Sequence, residues 1–295
     1  MRMVPTIQYR NFIDNIDQSK ARLDKAQEEI SSGKSVNRLS DNPYAAAQTS
    51  EIAAISSAND QFIANNDQLR SKLELTDSVL QFLNQTIDSA KVLAAQALSG
   101  TTTPESRQAL ATAVEGTRLQ ALSNANAQFN GSYLFAGTDN KTVPFTDSGG
   151  GTVTYQGNNE SIFQRLDRST VLKSNITGQE LFLDSPPIFS VLEDLKTAIQ
   201  NNDITTIRAK LDDLETISDR VNVTDTNIGN DINLLDQIQS RLKSQNLALQ
   251  TQSSRLSDAN LVESISRLNL ATQAVNTTLN AQAKVQQLSL IDFLR

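Results

Sequence analysis

The sequence predicts a mainly α protein: a long antiparallel helical bundle or coiled coil made from both chain ends, with a small β-rich insert domain in the middle. Three observations predict it. Apolar residues in both flanks recur at the alternating three- and four-residue spacing of a helical seam. Seven of the 11 glycines lie between Gly131 and Gly178, and seven of the 14 Phe and Tyr between Tyr133 and Phe189, so turns and aromatics gather in the middle. Hydrophobic content is 38% and aromatic content 5%, which suits slim helices with thin apolar seams better than a thick core.

The first helix carries Tyr9, Phe12, Ile16, Leu23, Ala26 and Ile30 on one seam, and Gly33 offers its C-cap. Asn42-Pro43 supplies an N-cap followed by proline at the first helical position. The next seam runs from Ile52 through Leu69, Leu80 and Ile87 to Ala97, and Gly100 ends it. Thr103-Pro104 starts a further helix carrying Leu110, Val114 and Ala121. In the C-terminal flank, Ile188, Leu192, Leu195 and Ile199 form a short seam after Pro186-Pro187. Ile207, Leu214, Val221, Ile228, Leu235, Leu242, Leu249 and Leu256 then recur every seven residues without a miss. The companion positions are mixed, with Ser218, Asp225, Gln239, Asn246 and Ser253 among them; polar seam residues weaken a pairing but fix its register. The pattern breaks at Glu263, and a new seam runs through Leu261, Ile265, Leu268, Val275 and Leu279 into Leu288, Leu290, Ile291 and Phe293. Strands are expected at 132–136, 143–146, 152–156, 161–166 and 180–183, punctuated by Gly149-Gly150-Gly151, Gly157-Asn158 and Thr177-Gly178.

The residue inventory excludes much chemistry. The chain has no Cys, His or Trp, hence no imidazole base, thiol nucleophile, disulfide, or His- or Cys-held metal or cluster. A net charge of −7 runs against the basic stripe that phosphate binding needs, so no nucleic-acid partner is expected. No apolar run reaches the roughly 18 residues of a membrane span, and no membrane insertion is expected. The stretch from Met1 to Tyr9 lacks the apolar segment of a secretory signal, so any export is expected to proceed without a cleaved signal peptide. The triple glycine is followed by neither a Lys-Ser/Thr pair nor a helical pattern and reads as a hairpin tip. Acidic clusters such as Glu28-Glu29 and Asp212-Asp213-Glu215 read as solvated helix faces rather than acid–base pairs. Asn84-Gln85-Thr86 and Asn222-Val223-Thr224 sit inside helix patterns and read as compositional, not as glycan sites. No catalytic, cofactor or metal residue is assigned.

Both chain ends are apolar stripes that one amphipathic helix cannot bury alone, which implies docking onto one another or onto another copy. The assembly residues expected on this ground are Tyr9, Phe12, Ile16, Leu23, Ile30, Leu261, Ile265, Leu268, Val275, Leu279, Leu288, Leu290, Ile291 and Phe293.

Two segments carry a family resemblance. Ser31-Ser32-Gly33-Lys34-Ser35-Val36-Asn37-Arg38-Leu39-Ser40-Asp41-Asn42-Pro43-Tyr44-Ala45-Ala46-Ala47 resembles the loop after the first helix of bacterial flagellins, and Val285–Leu294 resembles their C-terminus. The Ser-Asp-Asn-Pro form of the loop, and Asn130-Gly131-Ser132-Tyr133-Leu134-Phe135-Ala136-Gly137-Thr138, are more similar to the family members that join hook to filament than to those that build the filament. The resemblance implies a structural subunit of the bacterial flagellum, no enzyme, joining hook to filament by helical self-assembly through its terminal helices. It implies a terminal coiled-coil (inner tube) part at 1–35 with 258–295, a rod-like bundle at 40–130 with 188–257, and an outer insert at 131–187. It marks Gly33, Ser40, Asp41, Asn42 and Pro43 as the family loop. The implied partners are other copies, neighbouring hook-associated and flagellin subunits, and a cytosolic flagellar export chaperone contacted through Leu268, Val275, Leu279 and Leu290. The implied location is extracellular, at the hook–filament junction, after type III export. Filament flagellin remains the alternative within the family, and a secreted helical adhesin or adaptor the alternative from another class.

Overall fold

The computed structural model describes the backbone of residues 4–99, 103–149 and 151–293, and the side chains of residues 10–99, 103–149 and 151–284. Six helices account for most of it: α1 (Val4–Ser32), α2 (Pro43–Ala97), α3 (Pro104–Ala125), α4 (Ile188–Asn201), α5 (Ile204–Ser257) and α6 (Leu261–Phe293). Between α3 and α4 lie β1 (Gln128–Phe129), β2 (Ser132–Tyr133), β3 (Phe145–Asp147), β4 (Val153–Tyr155), β5 (Phe163–Arg165) and β6 (Val171–Lys173), followed by a π-helical turn at Gln179–Leu183. The strands form three separate antiparallel hairpins, β1–β2, β3–β4 and β5–β6. A mainly helical chain built from both ends around a small β-containing middle is therefore what the sequence folds into.

The helices begin and end where side chains can satisfy their orphan backbone groups. Asn42 Oδ1 accepts the Ala45 N–H at 3.1 Å ahead of α2, and Thr103 Oγ1 accepts the Ser106 N–H at 3.2 Å ahead of α3. Asp203 does the same for α5, its Oδ1 accepting the Thr205 and Thr206 N–H groups at 3.1 Å. Gly33 closes α1 at φ +70°, donating its N–H to the Glu29 carbonyl at 3.0 Å.

The chain groups into two compact units, Met1–Ala58 with Ser244–Arg295, and Asn59–Lys243. In the second unit the heptad residues Ile207, Leu214, Val221, Ile228, Leu235 and Leu242 are all buried, in one core with Leu69, Leu73, Leu80, Leu83 and Ile87 of α2. The last two heptad residues, Leu249 and Leu256, lie in the first unit and are half-buried.

Polar pairs fix the register of α2 on α5. Asp67 pairs with Gln239, Arg70 with Asp236 at 2.7 Å, and Asn84 with Asn222 at 2.8 Å. The α2 number rises from 67 to 84 while the α5 partner falls from 239 to 222, so the helices run antiparallel in constant register over about 17 residues, roughly five helical turns.

The insert packs into this same core. Phe135, Phe145, Phe182 and Phe189 cluster with ring centroids 5.1–5.9 Å apart. Tyr155 lies 5.0 Å from Phe145 and donates its hydroxyl to the Phe135 carbonyl at 2.9 Å. Beside the cluster, the Arg118 guanidinium of α3 is 4% exposed and contacts Glu115 at 2.6 Å, Asp147 of β3 at 2.7 Å and Glu193 of α4 at 3.6 Å. Lys196 bridges Glu115 at 3.1 Å and Glu193 at 2.6 Å, so α3, α4 and the insert share one ion network.

The expected strands need correction. Residues 180–183 are helical, because Thr177 and Glu180 exchange hydrogen bonds in a capping box: Glu180 N–H to Thr177 Oγ1 and Thr177 N–H to Glu180 Oε2, both 3.3 Å. The strand expected at 132–136 stops at Tyr133. Beyond it the carbonyls of Phe135 and Ala136 accept from Gly178 and Asn158 at 2.8 and 3.1 Å, so they build loop contacts instead of a ladder. The strands expected at 143–146, 152–156 and 161–166 shorten to three residues each. β1 and β6 are additional, and β1 turns into β2 through Asn130-Gly131 at φ +49° and +72°. Gly149 and Gly151 also have positive φ, in the connection between β3 and β4, consistent with a hairpin tip; Gly150 lies outside the described residues.

Candidate assembly surface

The two chain ends meet in the first unit, where α1 packs against α6. On α1 the face turned inward is Phe12, Ile16, Ser19, Leu23, Ala26 and Ile30, alternately four and three residues apart, all buried or half-buried. On α6 the corresponding positions are Ser264, Leu268, Ala271, Val275, Thr278 and Gln282. Every second position of the α6 face, at Ser264, Ala271 and Thr278, is thus a small residue, which lets two helices approach closely.

One buried charge crosses this pair. Glu29, expected on a solvated face, is 4% exposed, and Ser264 is 2% exposed. Glu29 Oε2 accepts the Ser264 hydroxyl at 2.9 Å and faces Arg267 Nη1 at 3.3 Å. A carboxylate held this way tolerates one register only, since a one-residue slip would strand it without a donor. A groove of about 430 Å³ opens beside it, with Ala26 and Ala271 in its lining and Arg22, Lys25 and Arg267 supplying positive charge.

The loop between α1 and α2 clasps the end of α5. Ser35 donates its N–H to the Ser257 carbonyl at 2.7 Å, and the Ala259 N–H donates to the Gly33 carbonyl at 2.9 Å. Within the loop, Asp41 Oδ2 accepts the Arg38 and Asn37 N–H groups at 2.9 and 3.2 Å, while Lys25 Nζ sits 3.1 Å from Oδ1. Hydrogen bonds from the Arg38 backbone and the Lys25 side chain hold the Asp41 carboxyl below the usual carboxylate range. The family-loop residues therefore divide by role: Gly33 ends α1, Asp41 ties the loop to itself, and Asn42 with Pro43 start α2. Ser40 is exposed.

The expected assembly residues separate into three groups. Phe12, Ile16, Leu23 and Ile30, with Leu268 and Val275, are half-buried on the faces that α1 and α6 turn inward. Leu261, Ile265 and Leu279 are 50%, 49% and 49% exposed. At about 100° per residue they form a stripe roughly 60–100° around α6 from the Ser264–Ala271 line, so they flank the pairing face. Tyr9, Leu288, Leu290, Ile291 and Phe293 lie outside the residues whose side chains are described. Sequence reasoning missed Glu29, Ser264 and Ala271 on the pairing face and the exposed Val262 and Leu270. The seven-residue recurrence of small residues at Ser264, Ala271 and Thr278 was the available signal.

Among the described residues, no group of three or more acidic side chains is placed to hold a metal, and no helix is long and apolar enough to cross a membrane.

The fold, with α1 and α6 paired and a glycine-capped loop after α1, is shared with solved flagellar hook-associated proteins. The profile of the bacterial flagellin N-terminal helical region matches residues 6–140. The whole chain is similar to flagellar hook-associated protein 3. It is 27% identical to that protein of Salmonella typhimurium over 305 residues, covering 97% of this chain and 93% of the relative. It is 33% identical to the Escherichia coli K12 protein over 203 residues, covering 68% of this chain and 63% of the relative. Among solved structures, flagellar hook-associated protein-3 of Legionella pneumophila superposes with a TM-score of 0.65 at 14% identity, over 70% of this chain and 98% of that one. FlgL of Bacillus cereus superposes with a TM-score of 0.57 at 24% identity, over 68% and 96%. At these identities the structural likeness is one of fold. The relatives are structural proteins of the flagellum, and the chain's role is a flagellar structural one.

Proposed function

We propose that the chain joins hook to filament in the flagellum, assembling with other copies through the α1·α6 pair. The observation that carries this reading is the apolar stripe Leu261, Ile265 and Leu279, left half-exposed beside a pairing face that α1 already occupies. Bulky apolar residues in a row beside a closed helix pair need a further surface to cover them. Residues 1–35 with 258–295 then act as the coiled-coil assembly part, 40–130 with 188–257 as the rod-like bundle, and 131–187 as the outward insert. Neighbouring hook-associated and flagellin subunits are the partners on either side. A cytosolic export chaperone holds Leu268, Val275, Leu279 and Leu290 before assembly, and the chain leaves the cell through type III export without a cleaved signal peptide. The subunit performs no catalysis.

Replacing Leu261, Ile265 and Leu279 together by Ser tests the reading. The triple variant is expected to match the parent in helicity and thermal unfolding yet fail to restore motility to cells lacking the parent protein. Normal motility would overturn assembly through this stripe. Labelled parent protein is expected in a narrow zone between hook and filament; label along the whole filament would make the chain a filament flagellin instead. A truncation lacking residues 261–295 that bound the chaperone with full affinity would remove the chaperone assignment.

A further inference from the structure

The polar pairs that fix the α2·α5 register are complementary. Asp67 meets Gln239, Arg70 meets Asp236, and Asn84 meets Asn222. Between Arg70 and Asn84, one helical turn off that register, Asp225 of α5 lies beside Asp77 of α2. Asp225 Oδ1 is buried and receives no hydrogen bond. Asp77 has its own donor, Gln81 Nε2, at 2.9 Å. Two ionised carboxylates cannot bond one another, because both only accept. The donor missing between the two carboxyls is one proton. Asp225 is also one of the polar positions in the companion seam of α5, so it replaces an apolar seam residue.

We propose that Asp77 and Asp225 form a proton-dependent clasp between α2 and α5: one shared proton bonds the two carboxyls in mild acid, and its loss at neutral pH leaves two like charges face to face. The surroundings favour the protonated form. Burial, and then the Asp77 carboxyl, push Asp225 up to about 6. The nearby cation on its own helix, Arg220, is turned away, donating to the Asp184 and Pro186 carbonyls at 2.8 and 2.9 Å. On α2, Lys72 is likewise engaged elsewhere, donating to the Ser174 carbonyl at 3.1 Å. Asp231, further along α5, is also raised by burial and works in the same direction. The sign follows from linkage. An acid that binds its proton more tightly when folded favours the folded state increasingly as pH falls through its folded value toward its unfolded one. The bundle therefore gains stability between about pH 7 and pH 5. The acids held low elsewhere in the unit, Glu115, Asp147 and Asp167 among them, lose their contributions only in more acidic solution.

The test is thermal unfolding of the full chain at pH 7.5 and 5.2, for the parent and for Asp225→Asn, Asp77→Asn and Asp231→Asn. The parent is expected to melt roughly 3 °C or more higher at pH 5.2, after allowance for solvent screening. Asp225→Asn and Asp77→Asn are expected to lose that rise and to melt above the parent at pH 7.5; Asp231→Asn keeps most of it. A parent melting point that does not rise, or a full rise in both Asp225→Asn and Asp77→Asn, would overturn the clasp. Carboxyl carbon NMR of the parent reads Asp225 directly, whatever the variants do. Titration near 6 supports the proposal, and titration in the ordinary carboxylate range defeats it. A calcium-induced rise at pH 7.5 that equals the acid-induced one and is abolished in Asp225→Asn would assign the pair to a cation instead.

Discussion

Replacing Arg118 by Met tests how far the insert depends on charge for its attachment to the helices. The guanidinium is 4% exposed and faces carboxylates from α3, β3 and α4, with side-chain exposures of 30% for Glu115 and 23% for Asp147 and Glu193. Methionine preserves the packing of the stem but leaves three carboxylates with only Lys196 between them. Breaking a buried ion pair costs about 3–5 kcal/mol. Because the carboxylates keep part of their hydration and Lys196 remains, we expect the lower end, about 2–3 kcal/mol. For a unit of this size that is a fall in melting temperature of roughly 5–10 °C. The pH dependence provides the internal check. The hydrogen bond from Arg118 holds Glu115 and Asp147 below their usual values of 4.5 and 3.8. The stability they contribute is thus present above those values and lost as pH falls through the depressed ones. In Arg118→Met the same carboxylates protonate more readily, so the deficit should shrink between about pH 5 and pH 3. The assay is circular-dichroism melting at pH 7 and pH 3.5. A fall of under 2 °C at pH 7, or a deficit of equal size at both pH values, would refute the reasoning.

Two other perturbations follow from the geometry. Gly137 has φ +70°, and a Cβ there would lie 2.2 Å from the Asn158 carbonyl oxygen, so Gly137→Ala should lose about 2–4 kcal/mol in urea unfolding. An unchanged midpoint would contradict that. Glu29→Ala removes the acceptor of Ser264 and should weaken the α1·α6 pair by about 1–3 kcal/mol. Amide exchange should then quicken in 10–32 and 261–284 while 59–243 stays protected; unchanged exchange in the terminal helices would count against the assigned role.

Much of the helical architecture is written plainly in the chain because a seam is a local, repeated signal. Ile207 to Leu242 and the Asn42-Pro43 start of α2 depend only on periodicity and capping, and both can be found without knowing the partner. The pairing face of α6 is harder. Its most buried residues, Ser264 and Ala271, are small and one is polar, whereas the bulky Leu261, Ile265 and Leu279 draw attention to a neighbouring face. Hydrophobicity marks where apolar surface is available, while close approach of two helices selects residues that occupy little space. The strands were the least legible elements. Each has two or three residues and is fixed by turn chemistry at Asn130-Gly131 and by docking of Phe145 and Leu166 into a distant core. The turn at 179–183 was readable as Thr177-x-x-Glu180, but its apolar Leu-Phe-Leu run suggested a strand instead.

The clasp between Ser35 and Ser257 has a kinetic consequence. It joins residues 222 positions apart, and α1 gains its helical partner only when α6 exists. Contacts of such long sequence separation carry a high loop-closure entropy and form late, after the more local pairing of α3 with α4. α1 precedes α6 in the chain and is thus among the last elements to find its place. The α1·α6 pair, with the buried Glu29 that fixes its register, therefore closes only after the intervening helices have found theirs.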